Sequence, residues 1–317
     1  MPNKATDTSG QEGHQPARQI RLGIYGYGEV GHGIAYGLAT AGLVAITAYQ
    51  RAPLKQLAID RMRLSGVRHV ESPAELAAHS DLIVAATQGT EALGAADAIG
   101  AHLRSTHCYV DLSSATPKIK QAIAARLAAS GAEFADGVLE ESPLQAEHRV
   151  AILASGPGAA RFRDTMNPWG MRVTMVGADT GRAAAIKGLR QILTKGHMAL
   201  LIECAVAARR YGIADEVFAS AAAWFDAEPF QSNAGRVLRS TTVHARRRAA
   251  EAAMAADMLG EMGIEPIMCS AAENLLGRIA DLDLATALGG AAPATVEEAL
   301  RLLESYAHAS PGGPDGR

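Results

Sequence analysis

The sequence predicts an α/β protein, a doubly wound parallel sheet followed by an all-α C-terminal domain. Three observations carry this. Short apolar runs alternate with helical patterns from Ile20 to about Gly177. A Gly-rich turn, Gly26-Tyr27-Gly28-Glu29-Val30-Gly31, separates the first run from the first helix. Beyond Gly181 the strand pattern stops, and every segment to about Tyr306 reads as helix. The expected division is a disordered tail over 1–18, an α/β domain over 19–181, an all-α domain over 182–306 and a frayed tail over 307–317.

The bulk properties narrow the function. Of 317 residues, 48% are hydrophobic and 20% charged, the balance of a soluble globular protein with a large core. A net charge of −3 offers nothing that nucleic acid or an anionic membrane would seek, and no apolar run is long enough to span a bilayer. Residues 1–18 lack the apolar segment of a signal peptide. Cys108, Cys204 and Cys269 are odd in number and far apart, which points to reduced thiols in the cytoplasm and to neither a metal site nor a disulfide frame.

The first strand is read at Ile20, Leu22 and Ile24, the first helix at Ile34, Leu38 and Ala41, and the second strand over Val44–Tyr49. A GxGxxG in this strand–turn–helix context is the fingerprint of a dinucleotide-binding, Rossmann-type unit. Gly26 permits the tight turn, Gly28 admits a pyrophosphate and Gly31 lets helix and strand pack closely. The N–H groups of Tyr27, Glu29 and Val30 lie where the helix start meets the anion. At the end of the second strand an NAD site usually carries Asp or Glu. Here stand Gln50 and Arg51, a neutral amide beside a guanidinium, which favours the 2′-phosphate of NADP over NAD.

The remaining α/β elements follow in turn. Leu54–Leu64 reads as helix and Val67–Val70 as strand; Ser72-Pro73-Ala74-Glu75 has the cap and first-turn residues of a helix start. Leu82–Ala86 is a buried strand ending at Thr87 and Gln88, a position where open parallel sheets collect ligands. His107–Val110 is the next strand, closing on Asp111-Leu112-Ser113-Ser114-Ala115-Thr116-Pro117. Lys118–Ser130 is helical, and Glu133–Leu139, Val150–Ala154 and Val173–Val176 complete the strands.

Ala183–Ala208 then reads as one helix of roughly 40 Å at 1.5 Å per residue. Lys187, Gln191 and Lys195 share one of its faces amid Ile186, Leu189, Ile192, Leu193, Met198, Leu200 and Leu201. Gly188 and Gly196 cost about 1 kcal/mol each against alanine, which suits a close approach by backbone or ligand. The stripe is either a solvated face or a catalytic one. A lysine desolvated beside a second lysine would have its pKa lowered toward the range of a general acid/base.

These motifs, in this order, resemble the β-hydroxyacid dehydrogenases and their 6-phosphogluconate dehydrogenase-like relatives across nearly the whole chain from about Ile20 to Leu303. The glycine motif and Tyr49-Gln50-Arg51 are similar to the NADP-using members' first unit. Asp111–Pro117 is similar to the substrate motif DxSTxxP, and Lys187, six residues after Gly181, stands where the family carries its catalytic lysine. His244–Glu251 followed by Gly263-Ile264-Glu265-Pro266 looks like a poorly characterised branch with its own C-terminal helical domain. The resemblance implies hydride transfer between NADP and a small hydroxy acid or its keto or semialdehyde form. Lys187 would serve as general acid/base, and Ser113, Ser114 and Gln191 would contact the substrate. Lys195, from its place on the shared face, is a further substrate contact, and an alanine-rich helical domain with a long apolar helix predicts a homodimer through residues beyond Gly181.

Two departures stand out. The family's D-A-P-V-S-G-G reads Asp136-Gly137-Val138-Leu139-Glu140-Glu141-Ser142, so two carboxylates replace a substrate segment, and the Asn four residues after the lysine is Gln191. Arg247 and Arg248 form either a surface pair with Glu251 or an anion clamp at a dimer interface. An imine or enamine reductase on the same scaffold, or a non-catalytic NADP-binding regulator, are the alternatives; a lysine at 187 speaks against both, more against the second.

Overall fold

The computed structural model describes residues 20–51 and 53–308, so the tail expected over 1–18 and the end of the one over 307–317 lie outside the described residues. The first elements are β1 (Leu22–Tyr25), α1 (Glu29–Thr40), β2 (Ile46–Tyr49), α2 (Gln56–Leu64) and β3 (Arg68–Val70). Then come α3 (Pro73–Ala78), β4 (Leu82–Ala85), α4 (Ala92–Gly100), β5 (Cys108–Asp111), α5 (Pro117–Leu127) and β6 (Glu133–Leu139). The short α6 (Pro143–Ala146), β7 (Ala151–Ser155), α7 (Ala159–Met166) and β8 (Arg172–Gly177) complete the sheet region.

The sheet runs β3-β2-β1-β4-β5-β6-β7-β8. It is buried on both faces. Leu22, Ile24, Leu82, Val84, Cys108 and Val110 join one core with Ile34, Leu38 and Phe162. The alternate residues Ile83, Ala85 and Tyr109 join another with Ile99, Ile123 and Leu127. Continuous apolar runs such as Leu82-Ile83-Val84-Ala85 are what two covered faces require. Local signals act as expected at α3, where Ser72 Oγ accepts from the Glu75 N–H at 3.1 Å.

One strand departs from the parallel reading: β7 runs antiparallel to β6, while every other neighbouring pair is parallel. The cause is the connection between them, Glu140 to Val150. A parallel crossover needs about a dozen or more residues, usually with a full helix; this link holds only α6 and one short turn, so the chain doubles back. β8 returns parallel to β7 because α7 supplies a crossover.

The chain divides into two compact units between Gln191 and Ile192, within the 30-residue α8 (Arg182–Tyr211). Beyond it lie α9 (Ala214–Phe225), the 32-residue α10 (Phe230–Glu261), α11 (Ile267–Ala280), the short α12 (Leu284–Ala287) and α13 (Val296–His308). Among its described residues the second unit holds helices and no strand. Its own core is small, built on Ala245, Ile279 and Leu303 with Leu238 and Tyr306 against them. Among the described residues no helix is long and apolar enough to cross a membrane.

Candidate functional site

In the sheet order, β1 lies between β2 and β4, so the loops after these strands leave in opposite directions and open a crevice. A cleft of about 490 Å³ occupies it, walled by Gly26 and Gly28 after β1, Tyr49 at the end of β2 with Gln50 and Arg51 after it, and Ala86, Thr87, Gln88 and Glu91 after β4. The three motif glycines serve three different needs. Gly26 has φ +94°, and a side chain there would put Cβ 2.9 Å from the Ala86 carbonyl oxygen. A Cβ on Gly31 would fall 2.1 Å from the Gly26 oxygen, so its absence closes the loop on the helix. A Cβ on Gly28 would meet nothing within 4 Å, and that empty space is where a pyrophosphate fits. Gly28 also caps α1 without any side-chain acceptor, leaving the first-turn N–H groups for an anion.

The other loop residues divide between frame and rim. The Tyr27 ring is 2% exposed, and its N–H donates to Gln50 Oε1 at 2.6 Å. Gln50 thus ties the glycine loop to the end of β2, a contact that composition did not foreshadow. Val30 packs partly against the core and Glu29 is exposed. Thr87 Oγ1 is buried without a partner among the described residues, a polar atom left for a ligand in the cleft. Gln88 is exposed on the same wall. Arg51 Nη1 lies 3.0 Å from Glu91 Oε2. These features suit a nicotinamide dinucleotide.

The second half of the site follows β5. A Cβ on Gly89, beside Gln88, would fall 3.0 Å from the Ser114 carbonyl oxygen, so the cleft wall abuts the Ser113-Ser114 loop. The two serines face differently. Ser113 is 2% exposed and donates from Oγ to Asp111 Oδ2 at 2.7 Å, which turns it into the protein. Ser114 is exposed, and Lys187 Nζ on α8 reaches to 3.5 Å from its Oγ. Lys187 is half-buried and its pKa is lowered, first by burial, then by the Arg190 and Lys120 charges, with Glu140 acting the other way.

The helix spacing suggested Lys195 as the second cation, but it stands eight residues from Lys187, about 12 Å along the axis. Arg190, three residues away, is on the same face. Lys195 is exposed in the second unit, with Nζ 3.9 Å from Met198 Sδ, and Gln191 is exposed with no side-chain partner among the described residues. Space beside Gly188 and Gly196 is open, so among the described residues neither meets the close approach their cost suggested.

Two charge clusters were not singled out from the sequence. Glu140, at the position of the lost Ser-Gly-Gly segment, accepts from Arg190 Nη1 at 2.6 Å, and its carbonyl accepts from Nη2 at 3.1 Å. Lys120 is wholly buried, 2.8 Å from Asp111 Oδ2 and 3.2 Å from Asp136 Oδ1. Asp136 Oδ2 in turn accepts from Ser155 Oγ and from the Ala184 N–H at the start of α8. A signal for Lys120 existed: it shares the buried face of α5 with Ile123 and Leu127, where a lysine must have a partner. Elsewhere, Arg247 pairs with Glu251 at 2.5 Å, and Arg248 donates to Ser240 and Thr241 within α10, which occupies both guanidinium groups. His244 is exposed. No group of three His, Cys, Asp or Glu among the described residues could hold a metal.

This geometry defines an NAD(P)-binding fold of the oxidoreductase type, and comparisons with known proteins agree on that class. Residues 21–177 match the NAD binding domain of 6-phosphogluconate dehydrogenase, and 208–279 match a domain of unknown function, DUF1932. A solved conserved protein of unknown function, described as structurally similar to 3-hydroxyacid dehydrogenases, is 30% identical; the match covers 83% of this chain and 97% of that one, with TM-score 0.58. An L-threonate dehydrogenase of Cupriavidus necator is 25% identical over 61% of this chain and 66% of its own length. An imine reductase variant from Myxococcus stipitatus, solved with NAD+, shares the fold at TM-score 0.70 and 18% identity, over 90% of this chain and all of that one. The chain belongs to the 3-hydroxyacid dehydrogenase-like family that joins a 6-phosphogluconate dehydrogenase-type NAD-binding domain to a DUF1932 domain, and it is a dehydrogenase or reductase.

Proposed function

We propose that the protein is an NADP-dependent oxidoreductase acting between a small hydroxy acid and its keto or semialdehyde form, with Lys187 as general acid/base. The observation that carries this reading is Lys187 Nζ, half-buried and 3.5 Å from Ser114 Oγ, on the loop that abuts the dinucleotide cleft. Gly26, Gly28, Gly31 and the first turn of α1 would hold the pyrophosphate, Gln50 the loop, Thr87 and Gln88 the inner wall, and Arg51 the 2′-phosphate. The nicotinamide, when bound, supplies or accepts the hydride. The chain's part is the proton: Lys187 gives it to the alkoxide oxygen during reduction and takes it from the alcohol during oxidation. Burial and two neighbouring cations loosen that proton, which suits the exchange.

Substrate charge follows from the same residues. Lys187 and Arg190 outnumber Glu140 beside the exposed Ser114, an environment that favours a carboxylate. A protonated imine would meet repulsion there, which places a hydroxy acid ahead of an imine as substrate. Ser113, turned onto Asp111, would shape the loop, while Ser114 and Arg190 would meet the carboxylate.

A homodimer is part of this reading. Ile192, Leu193, Ile202 and Val206 on α8, Trp224 and Phe225 on α9 and Phe230 on α10 are exposed, from 47% to 70%. Apolar side chains in this number on one small helical unit call for a cover, and a second copy provides one. The test is a panel of hydroxy acids, keto acids, semialdehydes and imines, followed through NADPH absorbance. Turnover with a hydroxy or keto acid is expected. Tight NADPH binding with no turnover in any class would favour a regulator.

A further inference from the structure

Arg51 does not stand alone at the mouth of the cleft. Its Nη1 is 3.0 Å from Glu91 Oε2, with the two side chains 75% and 47% exposed. The partners come from opposite walls: Arg51 follows β2, and Glu91 caps α4 after β4, with β1 between those strands in the sheet. The pair therefore spans the crevice at the end where Tyr25 and Tyr49 meet edge to face, ring centres 5.0 Å apart. Both charges act on the Tyr25 hydroxyl, Arg51 favouring its ionised form and Glu91 opposing it.

We propose that Glu91 sets the cofactor preference by competing with the 2′-phosphate for Arg51. The proposal rests on the reading of this cleft as an NADP site in which Arg51 meets that phosphate. A guanidinium binds phosphate through parallel hydrogen bonds, but here one terminal nitrogen is already engaged by a carboxylate. A 2′-phosphate must displace Glu91 and then sit beside it, like charge against like. An unphosphorylated ribose asks for neither: its 2′-hydroxyl can donate to Glu91 while Arg51 keeps its partner. Arg51 alone favours NADPH; Glu91 pulls the ratio back toward NADH. The usual acidic selector at the end of β2 is replaced by one on the facing wall. Because exposed ion pairs are weak, the phosphate still wins, and the expected effect of Glu91 is about three- to tenfold.

The experiment measures NADPH and NADH affinity calorimetrically on the full chain, for wild type, Glu91→Gln and Arg51→Ala. Glu91→Gln is expected to tighten NADPH by about three- to tenfold and to leave NADH unchanged or weaker, so the NADPH/NADH ratio rises. Arg51→Ala is expected to lower the ratio. An unchanged or lower ratio in Glu91→Gln, with Arg51→Ala behaving as stated, overturns the proposal and leaves the NADP reading intact. A wild type that binds neither cofactor, or an Arg51→Ala variant with an unchanged ratio, removes the NADP reading and the proposal with it.

Discussion

Lys120 Nζ lies 2.8 Å from Asp111 Oδ2, and neither side chain has any exposed surface. The sheet makes this pairing necessary. Asp111 on β5 and Asp136 on β6 are register partners, so two carboxylates stand side by side inside the protein. Lys120 lies against both and also donates to the carbonyls of Asp111 and Gly137. Ser113, Ser155 and the Ala184 N–H supply the remaining donors. One buried ammonium thus ties together the serine loop after β5, the end of β6 and the start of the helix that carries Lys187.

Removing that ammonium is expected to be severe. Lys120→Met leaves two carboxylates buried and uncompensated, for a loss of about 3–5 kcal/mol in urea unfolding. Lys118→Met, two residues away and exposed, is the control and should change stability by less than about 0.5 kcal/mol. Equal stability of the two variants would show that the cluster does not hold the site together.

The glycine motif separates folding from binding. Gly31→Ala places a Cβ 2.1 Å from a carbonyl oxygen and is expected to lower the melting temperature sharply. Gly28→Ala meets nothing within 4 Å at φ −78°, so its stability should stay within about 0.5 kcal/mol of wild type. NADPH binding should nevertheless fall at least tenfold, because the methyl fills the space assigned to the pyrophosphate. Unaltered NADPH affinity in Gly28→Ala would place the phosphates elsewhere.

What the sequence revealed follows from how local each requirement is. Gly26 and Gly31 answer to sterics within one turn, and Ser72 caps its own helix, so the dinucleotide unit was readable from a few consecutive residues. The direction of β7 was not, because the same side-chain pattern fits either direction and only the short link after β6 decides it. Lys120 and Asp136 were missed because register across two strands brings them together. On α8, periodicity singled out Lys187 and proposed Lys195 as its partner. Arg190 is nearer by spacing, yet only its contact with Glu140 reveals its place. The loss of the Ser-Gly-Gly segment was visible in the chain; its replacement by an ion pair was not.

The exposed apolar side chains of the second unit lead to a prediction about assembly. Ile202 is 66% exposed on α8, in the same stretch as Val206. If a second copy covers this surface, Ile202→Glu buries a charge at the contact and should shift the protein toward monomer in light scattering at micromolar concentration. A wild type that is already monomeric there would remove the dimer from the proposed function.

The proposed role of Lys187 as proton carrier gives the most discriminating test. Lys187 has its pKa lowered by burial and by the positive charge of Arg190, while the negative charge of Glu140 works to raise it. Neutralising each neighbour should therefore move the titration of Lys187 in opposite directions. Arg190→Gln removes a repelling cation and shifts it to higher pH; Glu140→Gln removes a stabilising anion and shifts it lower. Reduction needs the ammonium form, so its rate falls as pH rises through this titration, whereas oxidation needs the free amine and gains over the same range. The pH dependence of Lys187 acylation, followed by mass spectrometry, reads the shift without any substrate. With a substrate in hand, Lys187→Met should lose at least about 10²-fold in turnover with NADPH affinity unchanged. Shifts of the same sign in the two neighbours' variants would mean that the charges do not act on Lys187 as the geometry requires, and near-normal turnover in Lys187→Met would assign the proton to another group.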